Sequence, residues 1–381
     1  MTTATPEPEV PRTVPDPGEQ GRSLLLELSS RSAPLRLQQI QKDPKFHRWA
    51  LAETLLEEAG SSIFDDVEGA LALTELAVAV SEALPVDRHG PSLTCDLRAR
   101  CWARYGNAQR VHGDPLSAEQ AFGKAHSFLR RGTGKPLLAA RVAELEASLL
   151  KDQQRFPEAH RRLDEAIEVY RQSRTRSSLG RALVVKGSFL LFEDRPESAL
   201  RALREAVPLL RPEKDVRTFV LCAYNIINAL NRTGYSIAAH ALVADIRRLF
   251  ERLGDSINLL RLDWLVAEIN LELGRHRQAE EGLRQVRQGF LERGMAYDAA
   301  LLSLDLAALY LESGDPFRMQ GLVEEMLPIF QARSLHQGMI TALILFRESV
   351  ALRQADAALV REVATYLRQA RRDRTLRFRP S

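Results

Sequence analysis

The chain has 381 residues, 45% of them hydrophobic and 27% charged, a globular balance that excludes global disorder. Three cysteines are too few, and odd in number, for a disulfide framework, and no apolar run approaches the roughly 18 to 20 residues of a membrane span. Lys plus Arg number 53 against 50 for Asp plus Glu, so composition offers no broad nucleic-acid surface.

Residues 1–34 read as a disordered tail and lead-in. Prolines stand at 6, 8, 11, 15 and 17, and residues 1–21 carry no apolar periodicity to offset the entropy of ordering. Leu24, Leu25 and Leu26 come too late for a secretory signal, and Glu27 interrupts them at once. A cytoplasmic location is expected. From about residue 35 Leu, Ala, Arg and Glu recur at helical spacing. The run Leu183 to Phe192 is apolar on most sides, as a buried inner helix would be, whereas the stretch from Ala279 carries a narrow apolar stripe and a charged face. Turn signals separate them at Gly113-Asp114-Pro115, Gly234, Gly254-Asp255, Gly274 and Gly314-Asp315-Pro316. Glycine can end one helix in the left-handed region, and the aspartates can cap the next.

A repeat runs through these helices. Trp102, Tyr105, Gly106, Ala118, Phe122 and Ala125 hold fixed spacings, with the small residues where two helices approach closely. Equivalents of Ala118 fall at Ala159, Ala199, Ala239, Ala279 and Met319, separated by 41, 40, 40, 40 and 40 residues. Four and seven residues later come Phe122/Ala125, Leu163/Ala166, Leu203/Ala206, Val243/Ile246, Leu283/Val286 and Val323/Met326. A looser first unit spans about 46–84, with Ala70, Thr74 and Ala77, and a last one continues at Leu359, Val363 and Tyr366. About eight antiparallel helix pairs are expected over 35–370. This pattern resembles the tetratricopeptide repeat, stretched from 34 to 40 residues by longer helices and inter-unit loops. It is similar to the helical repeats in the sensor regions of bacterial regulators of the maltose-activator type.

The resemblance implies an all-α, right-handed superhelical solenoid whose first helices line a groove. Carrying over the family's groove positions gives Ala103, Asn107 and Arg110; Glu144, Ser148 and Lys151; and Val184, Ser188 and Leu191. It continues with Tyr224, Asn228 and Asn231; Trp264, Glu268 and Leu271; and Leu304, Ala308 and Leu311. Arg100 and Arg141 add charge to the first half. Asn225, Asn228 and Asn231 share a helix face, and two readings stand: amides for a bound peptide's backbone, or inter-helix packing. Trp264 is likewise a ligand platform or a packing residue. Asn107 resembles one asparagine of the family's carboxylate clamp. The companion lysine is replaced by Ala103, and Leu145 stands where a second clamp asparagine would be, which argues against a clamp.

Chemistry is absent from the motifs. HExxH, GxSxG and GxxxxGK[ST] do not occur, and Gly132-Thr133-Gly134-Lys135-Pro136 reads as an inter-unit turn, with Pro136 where a phosphate loop needs a hydroxyl. The eight histidines are scattered, and Cys95, Cys101 and Cys222 read as buried free thiols, so no cofactor, metal or catalysis is expected. Asp65-Asp66 sits at a helix end and Glu57-Glu58 on a helix face. Residues 371–381 form a basic tail, the one place for weak nucleic-acid or acidic-partner contact, or else a soluble end to the array. The expected function is a binding module for a peptide or protein segment. The alternative is a ligand- or peptide-sensing regulator; the chain carries no ATPase or DNA-binding motif, so signalling would need a separate effector.

Overall fold

The structure is a computed structural model that describes residues 16–63, 66–332, 337–351, 355–370 and 377–378. Every regular element among them is helical. They fall into two compact units, Met1–Ser173 and Arg174–Ser381.

The first unit holds α1 (Pro17–Ser29), α2 (Ala33–Lys42), α3 (Trp49–Ser62), α4 (Val67–Ala83), the short α5 (Val86–His89), α6 (Pro91–His112), α7 (Pro115–Leu129), α8 (Pro136–Asp152) and α9 (Phe156–Gln172). The second holds α10 (Arg176–Phe192), α11 (Pro196–Ala206), α12 (Val216–Arg232), α13 (Ser236–Leu253), α14 (Ser256–Glu272), α15 (His276–Glu292), α16 (Ala296–Glu312), α17 (Pro316–Ala332), α18 (Gln337–Ala351) and α19 (Ala357–Ala370). Consecutive helices from α3/α4 and α6/α7 through to α18/α19 pack as the expected pairs.

The register read from sequence is the register of the core. Ala118, Ala159, Ala199, Ala239, Ala279 and Met319 are all buried, as are the residues four and seven positions after each. The small residues let the paired helices close. A Cβ on Gly187 of α10 would lie 2.6 Å from Leu203 Cγ of α11, and one on Gly106 would lie 3.2 Å from Ala118, Ala121 and Phe122.

The period of 40 comes from the helices. Most from α8 to α17 have 17 residues, and most links among them, within and between pairs alike, are three residues long; 207–215 before α12 and 254–255 before α14 are the exceptions. The short links from α8 to α17 each pass through the left-handed region at one residue: Gln154, Arg174, Asp194, Gly234, Gly254, Gly274, Gly294 and Gly314. The amide after it reaches back to close the helix, as in Arg155 N to Leu150 O at 2.8 Å and Met295 N to Phe290 O at 2.8 Å. Lengthened inter-unit loops are therefore local, as at 130–135. There Asp96 pins the turn, accepting from Thr133 N at 2.9 Å and from Thr133 Oγ1 at 2.6 Å. Asp66, Asp114, Asp255 and Asp315 cap the helices that follow them.

One expectation is corrected at the N-terminus. The lead-in that reads as disordered is helical from Pro17, because proline fits a first helical turn and Leu28 is fully buried beside Ile40, Phe46, Leu51 and Leu55. Helices α1 and α2 pack on α3 and α4 as a further pair. Residues 1–15 and Asp65 lie outside the described residues. So does the basic tail apart from Arg377 and Phe378, whose ring meets Tyr366 with centroids 5.1 Å apart.

Candidate functional site

In the first unit the expected groove residues form three polar clusters. On α6, Asn107 is buried and its Oδ1 accepts from Arg110 Nε and Nη2, both at 3.2 Å. Arg110 Nη1 also reaches Asp152 Oδ2 at 2.7 Å, and Lys151 Nζ lies 3.0 Å from Asp152 Oδ1. Burial alone would raise the Asp152 pKa, but Lys151 and Arg110 outweigh it and hold the carboxyl below its ordinary range. Asn107 thus orients an arginine through its amide oxygen.

Glu144 is turned into the packing. Its carboxylate, 2% exposed, accepts from the buried Tyr170 hydroxyl of α9 at 2.9 Å and pairs with Arg141 at 2.7 Å. Its groove assignment is corrected for that reason, since a buried charge must be neutralised by its neighbours. The apolar positions Ala103, Val184, Leu191 and Leu304 are buried as well.

What stays open is a cleft of about 150 Å³ lined by three first helices. Helix α3 contributes Glu53, Leu56 and Glu57; α6 contributes Arg100, Ala103 and Arg104; and α8 contributes Leu138, Arg141, Val142 and Leu145. Arg100 and Glu53 form an ion pair across it. Arg104 and Glu53 were not singled out in the sequence, where Glu57 read only as part of a helix face. The charged residues at the spacing of Arg100 and Arg104, one helical turn apart, were the available signal.

In the second unit Tyr224 is half-buried against Phe250, with ring centroids 6.4 Å apart, and burial pushes its phenol up from the ordinary value. The asparagines separate. Asn231 is buried and accepts from Ser236 Oγ at 2.8 Å, which makes it a packing residue. Asn228 is half-buried, and Asn225 is buried with no partner for its Nδ2. Trp264 is half-buried. It packs edge-on to Phe290 at 6.2 Å and donates Nε1–H to Asp305 Oδ2 of α16 at 3.0 Å, so it ties neighbouring pairs together. Glu268 is half-buried on the same helix.

A second opening, of about 360 Å³, lies between α13, α14 and α15. Nothing in the sequence reading pointed to it. Cys95, Cys101 and Cys222 are buried free thiols. Among the described residues no cluster of His, Cys, Asp or Glu suits a metal, and no helix is long and apolar enough to cross a membrane.

No known protein-family profile matches the chain, and no curated protein matches it in sequence. Solved structures do match in shape. A Rap protein complexed with competence and sporulation factor is similar at a TM-score of 0.64 and 13% identity, over 84% of this chain and 87% of that one. A signal-transduction ATPase with numerous domains from Pyrococcus horikoshii, carrying a tetratricopeptide repeat sensor, is similar at 0.58 and 11% identity. That match takes in 94% of this chain but 53% of the other, so this chain spans about half of that protein's length. The apo form of RapI is similar at 0.52 and 12% identity, over 93% and 97% of the two chains. The shared feature is the fold: this chain is an all-α helical-repeat protein of the tetratricopeptide-like kind.

Proposed function

We propose that the chain is a non-catalytic scaffold or adaptor that binds a peptide or protein segment on the first-helix face of its pairs. The observation that carries this is the cleft walled by α3, α6 and α8, where arginines stand over an apolar floor of Leu56, Ala103, Val142 and Leu145. At about 150 Å³ it is smaller than the roughly 300 to 1,000 Å³ of small-molecule pockets and suits one or two side chains of an extended segment. Arg100, Arg104 and Arg141 favour carboxylates flanking an apolar anchor. In the second unit the half-buried Tyr224 and Asn228, on one helix face, offer an aromatic ring and an amide to a peptide.

A peptide-display selection on the full chain tests this. Enriched peptides are expected to carry Asp or Glu beside a large apolar residue, and to bind at least tenfold more weakly to Arg104→Glu. Binders indifferent to Arg104→Glu and to the charge swap Arg100→Glu with Glu53→Arg would remove this cleft from the function.

A second reading is a sensor that acts on a separate effector chain. The tetratricopeptide repeat sensor of the Pyrococcus horikoshii ATPase and the factor-bound Rap protein share this fold and support it. The buried reduced cysteines agree with a cytoplasmic setting for either role.

A further inference from the structure

The opening between α13, α14 and α15 is built by departures from the repeat. Asn270 of α14 occupies the position filled in other pairs by Leu150, Leu190, Leu230 and Tyr310, all buried in the packing. Gly282 of α15 stands where the neighbouring second helices carry Leu242 and Leu322. One change introduces an amide and the other removes a side chain, and both positions line the opening of about 360 Å³. Asn270 is 8% exposed, and its Oδ1 is buried with no partner. That acceptor takes no hydrogen bond from the protein and belongs to a residue that lines the opening, so it is available to a donor bound there.

The walls define what that donor belongs to. Arg247 of α13 and Asp263 of α14 form an ion pair in the same lining, two helical turns along α14 from Asn270, while Gln278 and Gln285 of α15 add neutral amides. We propose that this cleft binds an amino-acid-sized zwitterion, such as a free α-amino acid. Its ammonium group donates to Asn270 Oδ1, and its carboxylate accepts from the Arg247 guanidinium. The volume falls within the small-molecule range, unlike that of the first-helix cleft. The site lies between two second helices, apart from the face assigned to a peptide, and does not depend on that assignment.

The test is thermal unfolding of the full chain with each of the twenty L-amino acids, and with butylamine and butyrate as half-ligands. At least one amino acid is expected to raise Tm saturably, with the half-ligands inert. The rise should vanish in Gly282→Leu and in Asn270→Leu, both of which restore the residue that neighbouring pairs already accommodate. Asn270→Leu without ligand is expected to be at least as stable as the parent. No response to any amino acid, an equal response in Gly282→Leu, or a response to butylamine or butyrate alone would each overturn the proposal.

Discussion

Tyr170 of α9 donates its hydroxyl hydrogen to Glu144 Oε2 of α8 at 2.9 Å, while Arg141 Nη1 holds the other carboxylate oxygen at 2.7 Å. The carboxylate is buried, so partners within the protein substitute for water. Arg141→Ala removes an ion pair from a buried carboxylate and is expected to cost about 3 kcal/mol, whereas Tyr170→Phe should cost about 1–2 kcal/mol. Urea unfolding of both variants checks the order. An Arg141→Ala loss below that of Tyr170→Phe would mean that Glu144 is solvated.

Asp152 supplies a pH dependence. Its pKa is lowered in the folded chain by Lys151 and Arg110 acting against burial, so it adds stability above about pH 4, the unfolded aspartate range. That contribution is lost as pH falls through the lower folded value. At neutral pH Asp152→Asn is expected to be about 1 kcal/mol less stable than the parent, and the gap should close toward pH 2. A gap that stays constant across the acid limb would contradict this origin.

Gln154 is exposed and sits at φ 60° in a link where later repeats use glycine. A side chain in the left-handed region costs about 1–2 kcal/mol, offset in part by the added unfolded-state freedom of glycine. Gln154→Gly is therefore expected to raise stability by about 0.5–1 kcal/mol in thermal unfolding. Asp194→Gly should gain less, because Asp194 also pairs with Arg232 at 2.6 Å.

Helical glycines divide by what faces them. Gly187→Val drives a side chain into Leu203 and is expected to destabilise by about 2–3 kcal/mol. Gly123 of α7 has nothing within 4 Å of an added Cβ, so Gly123→Ala should stabilise by up to about 1 kcal/mol. Equal effects of the two would show that close helix approach does not govern the Gly187 position.

Burial pushes the Cys101 and Cys222 thiols up to about 12. Their thiolate fraction near pH 8 is on the order of one in ten thousand, which all but silences them toward disulfide reagents. Mass-spectrometric mapping should find both unmodified in the native chain and modified in urea. Rapid native labelling of Cys222 would show that its helix opens readily.

The sequence by itself determined the helices, their pairing and the 40-residue register, because these depend on local rules. Alanine recurs at the marker positions from Ala118 to Ala279, aspartates cap the next helix, and apolar spacing follows 3.6 residues per turn. It did not reveal α1, whose Leu28 is held by residues on α2 and α3 rather than by a long periodic run of its own. Only the tertiary structure decided which polar groups are consumed inside. Glu144 meets Tyr170 from 26 residues away and Trp264 meets Asp305 from 41, and helical spacing carries no information on such pairings. For the same reason Asn231 is spent on Ser236, whereas Asn225 and Asn270 keep unpartnered amide atoms. Both clefts are products of packing between helices, where the volume left over depends on side chains from three elements at once.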